Sequence, residues 1–80
     1  MIRIRKTHNK HVIEATSIQS VGTRFTVHFD IETHKGGHIN VTHFESDQLF
    51  KSDTEALEAG LRMGQQKIDA GYDPSTPNVA

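Results

Sequence analysis

Residues 50–71 constrain this chain most, because they spell one amphipathic helix with both of its ends marked. Ser52 at the N-cap and Glu55 three residues later form a capping box, each side chain accepting from an otherwise orphaned backbone N–H. Asp53, Glu55 and Glu58 gather at the positive end of the helix dipole, while Arg62 and Lys67 lie toward its negative end. Leu57, Leu61, Gly64 and Ile68 recur at helical spacing, with Gly60 at the margin of the same stripe. Gly71 suits the C′ position and Pro74 follows shortly after. Gly60 and Gly64 each cost about 0.8–1 kcal/mol relative to Ala in a helix interior. The stripe therefore reads as a close-approach surface, with the helix axis drawn down onto aromatic strand residues.

The preceding chain supplies that surface. Residues 1–6 alternate Ile2 and Ile4 with Arg3 and Arg5, the pattern of a short edge strand whose charges discourage unwanted pairing. Residues 11–19 form a less regular strand, since Val12, Ile13, Ala15 and Ile18 do not share one parity; a bulge or an edge twist accounts for that. Residues 23–31 alternate cleanly, Phe25, Val27, Phe29 and Ile31 on one side and Arg24, Thr26, His28 and Asp30 on the other. Residues 32–37 read as a hairpin loop with Gly36 and Gly37 at positive φ. Residues 38–44 return as a strand, Ile39 and Val41 inward and His38, Asn40 and Thr42 outward. Asp30 or Glu32 then stands opposite His38, Phe44 turns outward, and His43 is partly buried. Leu49 and Phe50 are expected to tuck under the helix start. The expected fold is α+β: a three- or four-stranded antiparallel meander with one C-terminal helix packed across one face. A single domain covers residues 1–71, with a flexible tail over 72–80.

Eighty residues with 34% apolar side chains support one shared core. Without cysteine there is no disulfide, thiolate zinc site or cysteine nucleophile, and the reducing cytoplasm is the expected compartment. No apolar run approaches the ~20 residues of a membrane-spanning helix, and the opening residues are too polar and basic for a signal peptide. Residues 1–40 carry six Lys/Arg against three acids, whereas residues 41–80 carry three against seven. The strand-rich part is thus mildly basic, a weak footprint for nucleic acid.

The segment Phe50-Lys51-Ser52-Asp53-Thr54-Glu55-Ala56, followed by Gly64 and Ile68-Asp69-Ala70-Gly71, resembles the C-terminal half of very small bacterial proteins built from a few strands and one helix. Those families are of largely unassigned function. The resemblance implies a sheet-plus-helix domain and no activity. Their Tyr-Lys-Gly-Tyr-type opening is replaced here by residues 1–6.

Six histidines fall within residues 8–43: His8, His11, His28, His34, His38 and His43. His8 with His11, and His34 with His38, are spaced to bring two imidazoles together, but nothing completes a recognisable ligand set, so no metal or other cofactor is expected. As solvated strand and loop residues they need no ligand. A polar sheet face of Arg3, Arg5, Arg24, His28, His38 and Asn40 is the candidate binding surface, suited to phosphates or another polar ligand but short of exposed aromatics for base stacking. Catalysis is not expected: no serine stands in a nucleophile elbow, and a domain this small offers little concavity for a pocket. A sheet covered on one side leaves an open face and open edges. Homodimerisation or binding of a protein partner is therefore the leading expectation, with weak nucleic-acid binding as the alternative, histidine-mediated metal binding as a second alternative, and no membrane partner.

Overall fold

Two tight turns set the registers of this protein. The computed structural model describes residues 2–72. β1 (Ile2–His8) and β2 (His11–Gln19) are joined by Asn9 and Lys10, with φ of 47° and 69°. β3 (Phe25–Lys35) and β4 (His38–Glu45) are joined by Gly36 and Gly37, with φ of 58° and 81°. Positive φ at both central residues is the two-residue hairpin geometry whose twist matches that of the strands. The turns place His8 opposite His11 and Lys35 opposite His38, and every later pair follows. The four strands form one antiparallel sheet in the order β1-β2-β3-β4, with α1 (Asp53–Asp69) on one face. This is the expected α+β meander, in its four-stranded form.

The loop over residues 32–37 contracts to the Gly-Gly pair, and that changes which way β4 faces. Odd residues of β3 point to the helix, so even residues of β4 do as well: Phe44 pairs with Phe29, Thr42 with Ile31 and Asn40 with Thr33. Ile39 and Val41 point away from the helix and are 61% and 58% exposed, opposite to the expected orientation. Lys35 faces His38, while Asp30 faces His43. Phe44 turns inward onto Phe29, and His43 lies exposed on the outer face. β2 pairs residue for residue through both ladders, without a bulge. Its inward positions are Ile13, Ala15 and the fully buried Ser17, with Val12 and Ile18 half-buried on the outside.

Ser52 caps α1 as expected, its Oγ accepting from Glu55 N–H at 3.2 Å, while the Glu55 carboxylate reaches back to Lys51 N–H at 3.3 Å. The far end closes with Gly71 N–H bonded to Ile68 O and Tyr72 N–H to Lys67 O, a Schellman arrangement about Gly71 at φ 93°. Tyr72, assigned from sequence to the tail, is thereby folded back: its ring meets Phe44 and His11 edge-on and its hydroxyl donates to Thr42. The rest of that tail, residues 73–80, lies outside the described residues.

The buried core joins Ile13, Ala15, Val27, Phe29 and Ile31 of the sheet to Ala56, Leu57, Ala59 and Ile68 of the helix. The glycines let the helix come close to the sheet as expected, but the residues they approach are aliphatic, on β2 and β3, and not the aromatic strand residues expected from sequence. A Cβ at Gly60 would stand 2.7 Å from Val27 Cγ2 and 3.1 Å from Ala15 Cβ, and one at Gly64 2.8 Å from Ile13 Cγ2. Ser17 Oγ donates to Asp53 Oδ1 at 2.5 Å and accepts from Ile2 N–H at 3.3 Å, tying β1, β2 and the first helical turn together. Phe50 bridges to Phe25 by two backbone hydrogen bonds, whereas Leu49 stays half exposed rather than tucking under the helix. The helix backbone comes down close to β1, β2 and β3 but not to β4.

Candidate functional site at the β4 margin

The six residues singled out from sequence do not gather on one surface. Arg3, Arg5 and His28 face away from the helix. Asn40 and His38 lie on the helix side of β4, with the parity of Thr33 and Lys35, and Arg24 sits in the β2–β3 turn. The outer face is also not basic. Arg5 donates to Glu14 at 2.7 Å and to Glu32 at 3.1 Å, and Arg3 Nε lies 3.6 Å from Glu14. The hydrogen bond that Arg5 donates to Glu14, then that to Glu32, raises its pKa above the ordinary arginine value. Glu32 also takes a hydrogen bond from His34 at 2.8 Å; this contact first, and Arg5 second, holds its carboxyl below the ordinary value. Glu14, Asp30, Glu32 and Glu45 thus match the arginines on one face, leaving little free positive potential for a phosphate backbone.

The histidine pairs proposed from spacing are separated or otherwise engaged. His34 and His38 project from opposite faces. His8 Nε2 meets Asp69 Oδ1 at 2.8 Å, fastening the β1–β2 turn to the end of the helix, and His11 Nδ1 meets Thr33 Oγ1 at 2.8 Å. His28 and His43 come together instead, with ring centroids 5.3 Å apart. The bond from His43 Nδ1 to Asp30 Oδ1, at 2.6 Å, is the largest cause of a raised His43 pKa; slight desolvation of the exposed ring opposes it and Glu45 adds to it.

β4 borders two open surfaces. Inside, the uncovered strip between β4 and the helix is a groove of about 440 Å³ lined by Phe29, Phe44 and Met63, with Glu45, Gln66 and Lys67 at its rim. That is more concavity than the sequence led one to expect. Phe44 stacks on Phe29 at 5.0 Å, and Lys67 Nζ sits 4.7 Å above the Phe44 ring. Outside, Ile39 and Val41 lie bare beside the free backbone edge of β4, which pairs only with β3 among the described residues. None of this follows from the residues chosen as a polar face. The signal was the Gly36-Gly37 pair read as a two-residue turn, which fixes the parity of every residue in β4. Among the described residues no helix is long and apolar enough to cross a membrane. Compared with protein-family models, with curated proteins and with solved structures, the chain matches none.

Proposed function

We propose that this protein is a protein-interaction module that works by strand addition at the β4 edge, and that the strand it takes up is β4 of a second copy. The observation that carries this reading is the pairing of a free backbone edge with two exposed aliphatic side chains, Ile39 and Val41, on a strand of sequence HINVTHFE. Soluble proteins normally blunt such edges with lysine, proline, a bulge or a covering element. β4 contains no Lys, Arg or Pro, pairs regularly with β3, and is not approached by the backbone of α1.

The occupant follows from the spacing. Ile39 and Val41 are two residues apart on the same face, so a two-fold antiparallel pairing about Asn40 sets Ile39 of each copy opposite Val41 of the other. Four aliphatic side chains then close into one patch while the backbone edge is satisfied. A polar ligand gains nothing comparable here, and the carboxylates on the outer face disfavour nucleic acid.

Sedimentation velocity over a concentration series tests the proposal, with Val41→Lys as the comparison. Val41 is exposed, so the substitution leaves the core intact. The parent chain is expected to move toward twice its monomer mass as concentration rises, and Val41→Lys to remain monomeric. A parent that stays monomeric at all concentrations, or a Val41→Lys variant that associates as the parent does, overturns the reading.

A further inference from the structure

The outer face of β3 and β4 carries a second, independent arrangement. His28 and Glu45 are cross-strand partners, and Asp30 and His43 are the next pair along on the same face. The four side chains therefore form a square, with His-x-Asp on one strand and His-x-Glu on its neighbour. Glu45 Oε1 lies 3.9 Å from His28 Nδ1 and 3.5 Å from His43 Nε2, and one donor atom from each of the three residues falls within 4.8 Å of the others. Donors around a tetrahedral zinc ion with bonds near 2.0–2.2 Å stand about 3.3 Å apart, so small side-chain rotations bring this set into range. We propose that His28, His43 and Glu45 bind a divalent transition-metal ion, zinc by preference, on the outer face of the β3–β4 hairpin.

The fourth residue makes the arrangement more than a coincidence of exposed side chains. Asp30 accepts from His43 Nδ1, which fixes the ring orientation and leaves Nε2 directed at Glu45. A carboxylate behind a histidine in this way is the usual support of a metal-ligating imidazole, setting its tautomer and raising its basicity. Two imidazoles and one carboxylate suit zinc among the common divalent ions, and the exposed side of the cluster leaves its remaining coordination positions to water. The ligands sit on paired strands joined by a two-residue turn, so the scaffold is rigid before the ion arrives. The site does not depend on β4 pairing with a second copy.

Titration of the metal-free protein with Zn2+, followed by calorimetry and by imidazole 15N spectra at a concentration where the chain is monomeric, tests the proposal. One equivalent is expected to bind, with the ring signals of His28 and His43 shifting and the melting temperature rising with added zinc. His28→Gln and His43→Gln should each weaken binding at least tenfold. Asp30→Asn, which removes no ligand, should weaken it about 10–100-fold. A His34→Gln/His38→Gln double variant should bind as the parent does, and backbone spectra establish that each variant is folded. Absence of saturable binding near one equivalent, shifts at His8 and His11 instead, or unchanged affinity in folded His43→Gln would overturn the site.

Discussion

β1 and β4 are the two edges of one sheet, and the protein treats them in opposite ways. β1 is charged on its outer face, where Arg3 and Arg5 are held by Glu14 and Glu32, and the helix approaches its inner face, where Ile4 is half-buried and Ile2 stays 47% exposed. Ser17 and His8 bind that side of the sheet to the two ends of α1. β4 has no such protection. Its outer face shows Ile39 and Val41, and on its inner side the helix end reaches it only through side chains, Lys67 over the Phe44 ring and Tyr72 onto Phe44 and Thr42. An asymmetric helix on a symmetric meander therefore produces one edge closed off by charges and helix ties, though its backbone too pairs on one side only, and one available edge. Which edge is available depends on where α1 sits, and that depends on two glycines.

The largest expected effect is accordingly at the helix seat. Gly64→Leu drives a side chain into Ile13 and should destabilise the fold by about 1–3 kcal/mol, with the melting temperature falling by about 4–8 °C per kcal/mol. A variant that melts with the parent would remove the reason for the helix lying over β2 and β3. Next is the buried tie on the closed side. Ser17→Ala deprives Asp53 and Ile2 N–H of a partner at a fully buried position and should cost about 1–2 kcal/mol by chemical denaturation. Thr42→Ala, which breaks the half-buried Tyr72 contact on the open side, should cost less. Equal losses would mean that the two sides are fastened equally well.

Much of this was written in the chain, and the parts that were not share one cause. The helix, its Ser52 cap, its glycine stripe and the inward face of β3 are legible because each depends on spacing within a single element. The orientation of β4 depends on a register between elements. Ile39 and Val41 look like core residues, and only the parity imposed by Gly36-Gly37 turns them outward and places His43 beside His28. Ser17 is illegible for the related reason that a polar residue occupies a core position in β2 by virtue of a partner, Asp53, far along the chain. Tyr72 looks like tail in the sequence because the Schellman closure that redirects it needs the helix end in three dimensions.

The two turns sharpen the contrast between the edges further. Gly36 and Gly37 adopt positive φ freely, but Lys10 holds a φ of 69° that costs a residue with a Cβ about 1–2 kcal/mol. Lys10→Gly should raise stability by about 1 kcal/mol without affecting association, since it acts on the closed side alone. A change in the association constant would contradict the assignment of pairing to β4.

The smallest effect expected is one of pH. Glu32 is held below its ordinary pKa by His34 and Arg5, so the stability it contributes is present above the ordinary carboxylate value and is lost as pH falls through the lowered one. Glu32→Gln should therefore be slightly less stable than the parent near neutral pH, and the two should converge once both are measured in strong acid. A gap that persists there would show that Glu32 acts through packing rather than through the ion network that guards the β1 side.

The most direct measurement of the unequal edges is a pair of 1H–15N spectra of the parent chain at high and low concentration. If β4 is the interaction edge, dilution shifts the amides of His38–Glu45 and leaves those of Ile2–His8 in place. Shifts confined to β1, or none on either strand, would contradict it.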